Sequence, residues 1–270
     1  MGNNSYDEDF YRSQMQESYN SAKEVISYMS GGGGLFTDIE SIIDVGCGVG
    51  TWLKAWTDAK PNLKYFGIDG NGVEESLFYI AKDYYKQADL TADADDIFRN
   101  VMQNIPESDK KPFDLAESLE VAEHLEKQYA ENFIKLLTMF SDIVLFSAAI
   151  PHQGGTEHIN EQPPKYWADL FAKLDYVCFD ILRKKIWNNE KIGFWYRQNL
   201  LLFVHKSKTY LFEGKGFRAE EPLYIVRAEY VEYYFKCWQD KCKENPIRIY
   251  WRHPTQFFRH LCAFIRGKDI

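Results

Sequence analysis

The chain has 270 residues, of which 45% are hydrophobic, and a formal net charge of -8. A chain of this length and composition buries a full core and suits one domain with an extension. The charge is uneven, because residues 206–270 hold 13 Lys and Arg against 8 Asp and Glu, which leaves 19 against 32 before them. An acidic body repels phosphate backbones, which argues against a long nucleic acid as substrate.

The cysteine content also excludes some classes of protein. The five cysteines are odd in number and include no C-x-x-C pair, so neither a disulfide framework nor a thiolate zinc site is predicted. The N-terminal residues are polar, and no stretch approaches the length of a membrane span. We therefore expect a cytoplasmic protein.

The N-terminal residues predict a helix that precedes the sheet. Apolar side chains recur at helical spacing from Phe10 to Met29. The four glycines at 31–34 cannot hold a helix and predict a flexible joint. Residues 1–34 are predicted to form a helical lid with a glycine linker.

Residues 41–52, with the sequence SIIDVGCGVGTW, predict a buried parallel strand that turns into a helix. Ligands in open α/β sheets bind at such turns. Glycine allows unusual backbone angles and lets a ligand approach the main chain. The spacing Gly46-x-Gly48-x-Gly50 differs from the G-x-G-x-x-G pattern of dinucleotide-binding loops, and no Lys-Ser or Lys-Thr follows to make a phosphate-binding loop. Binding of a pyrophosphate group is therefore the weaker interpretation.

Further strands and helices alternate along the chain. Strands are predicted at 64–69, 84–87, 113–119 and 142–150, and helices at 51–59, 93–102, 128–139 and from Tyr166 onward. Two β-rich segments follow, at 176–182 and 194–204. The carboxyl ends of parallel strands form one rim of such a sheet, and chemistry is expected there.

The motif from Asp44 to Gly50, followed one helix later by FGIDG at 66–70, resembles the first two motifs of class I S-adenosylmethionine-dependent methyltransferases. The likeness runs from about Ser41 to Val204. It implies an α/β, Rossmann-like three-layer sandwich with a seven-stranded, mostly parallel sheet and an antiparallel last strand. Helical N- and C-terminal extensions would flank a methyltransferase domain at 35–206.

The resemblance also implies a cofactor site for S-adenosyl-L-methionine. The glycine loop would lie against its methionine part, and the acid that ends the second strand would accept hydrogen bonds from the ribose hydroxyls. A third motif, Ala-Asp-Leu at 88–90, would meet the adenine, although an Asp after a strand is also a common helix cap. The implied cofactor residues are Asp44, Gly46, Cys47, Gly48, Asp69, Gly70, Asp89, Leu90 and Glu120.

The end of the fourth strand carries Glu120-x-x-Glu123-His124. On a helix turn these side chains could converge on one divalent ion. The spacing is similar to the Glu-x-x-Glu-His motif of two metal-dependent branches of the family, the small-RNA 3′-terminal ribose 2′-O-methyltransferases and the ubiquinone-pathway catechol O-methyltransferases. In the RNA branch a histidine after the fifth strand completes the site, and His158 is the candidate here. The ion would be Mg²⁺ or Mn²⁺.

A metal-free alternative stays open for the same residues. Either His124 or His158 could act as general base, since imidazole titrates near neutrality. Acids at a helix start also occur for electrostatic reasons alone. Under either version the predicted catalytic residues are His158, His124 and Glu120. His158 lies in a polar stretch, residues 151–164, and long polar loops commonly carry function.

Three acceptor hypotheses compete. A sugar hydroxyl on a glycan or a glycosylated small molecule suits an acidic domain with a Trp- and Tyr-rich rim. The ribose end of an RNA suits the metal motif but not the charge. The third hypothesis is a non-catalytic, methyltransferase-like partner of an active enzyme, and the intact glycine loop and Asp69 count against it.

The resemblance stops after Lys206, and residues 207–270 are predicted to be a helical, basic and aromatic extension. The first part of this extension is predicted to form a helix with one apolar face. Residues 247–265, which follow it, alternate aromatic side chains with arginines. Such a segment could pack on the parent domain, mediate a homo-oligomer or lie on an anionic membrane surface. The predicted helix face comprises Leu223, Val226, Tyr230, Tyr233, Tyr234 and Trp238.

Overall fold

The computed structural model describes residues 8–31, 36–72, 75–105 and 113–244. The chain divides into two compact units, residues 1–225 and residues 226–270. Most of the predicted glycine linker lies outside the described residues. The predicted domain boundaries after residues 34 and 206 stay predictions.

The first unit is built on one seven-stranded sheet with the order β3-β2-β1-β4-β5-β7-β6. Only β7 runs antiparallel to its two neighbours. The predicted α/β fold with an antiparallel last strand is therefore confirmed. The strands are β1 (Ser41–Val45), β2 (Lys64–Asp69), β3 (Tyr85–Gln87), β4 (Leu115–Leu119), β5 (Ile143–Ser147), β6 (Tyr176–Phe179) and β7 (Leu201–His205).

Helices cover both faces of this sheet. One core contains Phe133 and Phe171 from two helices, and the other contains Val25 and Trp56 from two more. This arrangement matches the predicted three layers. The helices of the first unit are α1 (Glu8–Ser30), α2 (Thr51–Ala59), α3 (Ala94–Asn104), α4 (Ala130–Phe140), α5 (Pro164–Ala172), α6 (Leu182–Ile186), α7 (Phe194–Asn199) and α8 (Tyr210–Glu213).

Local sequence explains where α3 begins. The Asp93 side chain accepts hydrogen bonds from the backbone N–H groups of Asp95 and Asp96, at 3.0 and 3.3 Å. A carboxylate at this position satisfies donors that have no partner inside the helix. From there Ile97 and Val101 point into the core at helical spacing.

The prediction of one strand over residues 194–204 was wrong in its first half. Phe194–Asn199 forms α7, and the strand begins only at Leu201. Aromatic residues favour strands, but tertiary packing overrides that preference here. The Tyr196 hydroxyl accepts a hydrogen bond from Trp52 Nε1 at 3.3 Å, and the two rings lie 5.1 Å apart. The helix brings Asn199 to the rim of the sheet.

The second unit contains α9 (Ala228–Glu244). The predicted helix face that included Leu223 and Val226 was wrong in that part, because both residues precede the helix. Residues 247–265 lie outside the described part of the chain. Among the described helices, none is both long enough and apolar enough to cross a bilayer.

Candidate functional site

The loop after β1 has the backbone that its glycines predict. Gly46, Gly48 and Gly50 all have positive φ angles, between 52° and 89°. A Cβ on Gly46 would lie 2.3 Å from the Val121 side chain, whereas a Cβ on Gly48 would meet no atom within 4 Å. Gly46 is thus required for packing, and Gly48 faces open space at the rim.

Asp69 at the end of β2 holds this loop in place. Its carboxylate accepts hydrogen bonds from the backbone N–H groups of Gly48 and Asn71, both at 2.8 Å. The N–H groups of Gly46 and Cys47 bond to the Ile68 carbonyl at 2.7 and 3.0 Å. A carboxylate offers about four acceptor sites, so Asp69 retains capacity for further donors.

The residues around the predicted adenine position differ in their exposure. Asp89 is exposed, and its Oδ1 accepts from the Thr91 N–H at 2.9 Å and the Thr91 hydroxyl at 2.7 Å. These bonds hold the pKa of Asp89 below its usual value. The Leu90 side chain is buried in the core, and the Gly70 carbonyl accepts from Gln87 Nε2 at 3.2 Å.

Two carboxyl groups lie side by side inside the sheet. Asp44 and Glu117 are register partners on β1 and β4, and Glu117 has no exposed surface. Trp56 Nε1 donates to Glu117 Oε2 at 3.0 Å, but no described residue bonds to Oε1. Burial raises the pKa of Glu117 to about 8, and burial followed by the charges of Glu117 and Asp69 raises the pKa of Asp44. We call Asp44 and Glu117 the inner acid pair.

Glu120 and Glu123, the outer acid pair, follow at the end of β4. The prediction that they share a helix turn was wrong, because Glu120 has a left-handed backbone with φ of 58° and only Ala122–His124 forms a short 3₁₀ turn. The Glu120 N–H donates to the Ser147 carbonyl at 3.0 Å. This bond ties the residue to the end of β5 instead.

Three of the four predicted metal ligands still converge. Glu123, His124 and His158 each offer one ligand atom, and these atoms lie within 4.8 Å of one another. The two imidazole rings are 4.9 Å apart and nearly perpendicular. Glu123 is fully buried, and its Oε2 has no hydrogen-bond partner among the described residues. A buried carboxylate oxygen without a donor, beside two imidazoles, suits a cation.

The loop after β5 is attached to Glu123 by main-chain bonds. The N–H groups of Ile159 and Asn160 both donate to the Glu123 carbonyl, at 2.9 and 3.0 Å. A Cβ on Gly155 would lie 2.3 Å from His158 Nε2, so only glycine leaves room for this ring. These contacts place His158 beside His124 although the two are far apart in sequence.

Glu161 organises the same loop from the other side of His158. Its Oε1 lies 3.1 Å from His158 Nδ1 and accepts from the Gly154 N–H at 2.6 Å, while Oε2 accepts from the His152 N–H at 2.7 Å. A carboxylate on one imidazole nitrogen fixes the ring and leaves the other nitrogen for a ligand. No sequence pattern singles out Glu161.

Side-chain amides surround Glu120, and the sequence interpretation missed them. Asn199 Nδ2 donates to Glu120 Oε1 at 3.1 Å, and Gln153 Nε2 donates to Glu120 Oε2 at 3.3 Å. Gln153 Oε1 accepts from Asn199 and Gln198, at 2.9 and 3.2 Å. Because Gln153 Oε1 is occupied by these donors, its NH₂ group must face Glu120. No local pattern links these amides to Glu120.

Burial and charge set the protonation of these groups. Burial raises the pKa of Glu123, and the charge of Glu120 raises it further. Burial also raises the pKa of Glu120, against the hydrogen bonds that Asn199, Ser147, Glu123 and Gln153 make to it. The Glu120 and Glu123 carboxyls thus interact with each other. Burial, followed by His158, lowers the pKa of His124, which favours its neutral form. A neutral imidazole can accept a proton or bind a metal.

Several solved structures are similar to this chain. An O-methyltransferase family protein from Burkholderia thailandensis has a TM-score of 0.49 and 13% identity, over 74% of this chain and 60% of that chain. Magnesium protoporphyrin IX methyltransferase from Synechocystis PCC 6803 has a TM-score of 0.48 and 14% identity, over 76% and 90%. The methyltransferase domain of a bacterial Hen1 protein has a TM-score of 0.43 and 20% identity, over 71% and 98%.

No protein-family model matches the sequence, and no curated protein matches it. The chain spans about 60% of the length of the Burkholderia protein that it resembles in structure. All three TM-scores are below 0.5, so a functional assignment depends on the residues of this chain.

Proposed function

We propose that this chain is a class I S-adenosylmethionine-dependent O-methyltransferase. Its acceptor is a hydroxyl group on a sugar, a glycan or a glycosylated small molecule. The observation that carries the proposal is the pairing, at one rim of the sheet, of the glycine loop and Asp69 with the cluster of Glu123, His124 and His158. The first set suits a nucleoside cofactor and the second suits activation of a hydroxyl.

The residues present fit the cofactor. Gly48 faces open space, so the methionine part can approach the main chain, and Asp69 retains acceptor capacity for the ribose hydroxyls. Asp44 and Cys47 flank this position, and Gly70, Asp89 and Leu90 follow the next two strands. The cofactor supplies an electrophilic methyl group, and the chain has to position the acceptor oxygen in line with it.

The outer acid pair and the two histidines also fit a divalent cation. Among the described residues Glu123 Oε2 has no hydrogen-bond donor, and Glu161 binds His158 at Nδ1, which leaves the other ring nitrogen for a ligand. Glu120 lies beside this cluster, with Asn199 and Gln153 orienting its carboxylate. When bound, Mg²⁺ or Mn²⁺ would lower the pKa of the hydroxyl to be methylated.

The metal-free version uses the same side chains. The lowered pKa of His124 keeps its imidazole neutral, so it can take the hydroxyl proton as general base. His158, held by Glu161, is the other candidate base. The two buried, interacting carboxyls of Glu120 and Glu123 support the metal version, because a general base does not need them.

The net charge of -8 favours an uncharged or short acceptor over a polyanion. The second candidate function is 2′-O-methylation of the 3′-terminal ribose of an RNA. The observation that favours it is the joint presence of Glu120, Glu123, His124 and His158, which resembles the ligand set of that branch. A non-catalytic, methyltransferase-like partner remains as the third hypothesis.

A methyl-transfer assay with mass detection tests these alternatives. The panel comprises methyl glycosides, nucleoside-diphosphate sugars, phenols and a short RNA, each with and without chelator. We expect a product 14 Da heavier from a sugar, and chelator should abolish it while S-adenosylmethionine binding persists. Methylation of RNA alone would support the second candidate, and turnover that survives chelator would support the general base.

Calorimetry with S-adenosylmethionine provides the complementary measurement. Asp69→Ala should weaken binding by about 1–3 kcal/mol, because a hydrogen-bond acceptor for the ribose is lost. Asp96→Ala, which removes an exposed carboxylate that pairs with Arg99 on α3, is the matched control. If the native chain binds no cofactor, the enzyme assignment fails and the non-catalytic role stands.

A further inference from the structure

The first unit continues past the predicted domain end at residue 206, and residues 220–225 return to the sheet. The Glu220 N–H donates to the Cys178 carbonyl at 2.9 Å, so the segment runs beside β6. The side chains of Glu220 and Glu221 lie 2.7 Å from Lys184 and 3.6 Å from Lys165 respectively. We call residues 220–225 the edge segment.

A buried arginine fixes the edge segment to the candidate site. Arg183 donates through Nη2 to the Leu223 carbonyl and through Nη1 to the Gln198 carbonyl, both at 3.0 Å. Its Nε donates to Asp180 at 2.8 Å within a buried ion pair. Gln198 directly precedes Asn199, which contacts Glu120. One guanidinium therefore positions both the edge segment and the end of α7.

The edge segment reaches the end of the loop that carries His158, because Glu221 lies 3.6 Å from Lys165, the residue that directly follows the loop. Leu223 and Tyr224 are 59% and 54% exposed, and Ile159 in the loop is 61% exposed. Partial burial raises the pKa of Tyr224, and the charge of Glu161 raises it further. Glu161 is the residue that holds His158 Nδ1.

We propose that the edge segment is one wall of the acceptor site, and that the Tyr224 ring is the platform on which the sugar ring of the acceptor packs. The proposal rests on the function proposed above and deepens it. Sugar rings pack their apolar faces on aromatic side chains, while their hydroxyl groups bond to acceptors such as carboxylates. Tyr224 offers such an exposed face, and Glu161, whose charge acts on Tyr224, is a carboxylate at the same side of the loop.

Steady-state kinetics on the sugar that yields product in the panel test this proposal. Tyr224→Ala should raise KM for that sugar about tenfold and leave kcat and S-adenosylmethionine affinity unchanged, because only the platform is lost. Tyr224→Phe keeps the aromatic face and should stay near the native KM. A merely structural role would lower the melting temperature without this separation of KM from kcat.

Tyr210→Ala is the matched control. Tyr210 is 62% exposed on α8, which follows the antiparallel strand β7 and so lies at the opposite rim of the sheet. If Tyr224→Ala keeps the native KM, or if Tyr210→Ala raises KM equally, the edge segment does not form part of the acceptor site. If no sugar in the panel is methylated, both the proposed acceptor class and the role of Tyr224 are refuted. If a sugar is methylated but its KM does not depend on Tyr224, only the role of Tyr224 is refuted.

Discussion

Strand β4 carries Glu117 of the inner acid pair, and both members of the outer acid pair follow directly after it. The two pairs differ in their hydrogen-bond donors. The inner pair, Asp44 and Glu117, has the Trp56 indole as the donor to Glu117 and a carboxylate oxygen without one. In the outer pair, two amides reach Glu120, and Glu123 lies beside two imidazoles. Burial raises the pKa of carboxyls in both pairs, so what distinguishes the outer pair is the two imidazoles and two amides beside it.

The largest expected effect concerns the inner pair and pH. The folded pKa of Glu117 is about 8, above its ordinary value near 4.5, so the folded state keeps a proton that the unfolded state releases. Stability from this group is present at low pH and is lost as pH rises from about 4.5 to 8, at about 1.4 kcal/mol per pH unit. Chemical denaturation of native protein and Glu117→Gln across this range measures the difference. If the free energy of unfolding of the two proteins changes with pH in the same way, the pKa of Glu117 is not raised in the folded state.

The second prediction concerns the outer pair and a cation. Mn²⁺ at a hundred times its dissociation constant should stabilise the native fold by about 2.7 kcal/mol. Glu123→Gln should abolish this gain, because the buried ligand oxygen loses its charge, while Glu117→Gln should retain it. Thermal unfolding with and without Mn²⁺ gives both values. An equal gain in all three proteins would place the cation elsewhere.

The third prediction uses the contact between Gly155 and His158. Gly155→Ala should displace the imidazole and weaken Mn²⁺ binding about 10- to 100-fold, by analogy with the loss of groups that orient metal ligands. Gly154→Ala is the control, since Gly154 also has a positive φ but an added Cβ would meet nothing within 4 Å. Calorimetric titration separates the two. Equal affinities would mean that His158 is not a ligand.

The smallest expected effect is on the amides around Glu120. Asn199→Ala removes one of two amide donors and should weaken Mn²⁺ binding by about 1 kcal/mol, or roughly fivefold, because Gln153 remains. Gln128→Ala changes an exposed amide that bonds to Glu126 and serves as the control. If Asn199→Ala binds Mn²⁺ with native affinity, the Asn199 amide does not contribute to cation binding by the outer acid pair.

The sequence predicted the sheet because buried parallel strands leave a strong local pattern. The apolar runs that end at Asp69 and near Glu120 predicted which residues lie at the carboxyl-terminal rim of the sheet. The resemblance to the RNA branch implied that His158 joins Glu123 and His124, and the three residues converge because β4 and β5 are neighbours. The exact backbone did not, because nothing local indicates that Glu120 takes a left-handed conformation.

The amides and the edge segment could not be predicted, for two different reasons. Asn199 reaches Glu120 only because residues 194–199 are helical, and their aromatic composition indicated a strand. The edge segment has no periodicity, and Arg183 holds it by bonds to backbone carbonyls, which carry no sequence signal. Long-range polar contacts of this kind depend on the finished fold.

The Glu123 carbonyl, which accepts both the Ile159 and Asn160 N–H groups, has a consequence for how such proteins diverge. The residue contributes to the candidate site through its side chain and to the loop architecture through its main chain. A substitution at this position can therefore remove the carboxylate and leave the loop attached. A gene duplicate could lose its chemistry in one step and still present the same surface to a partner.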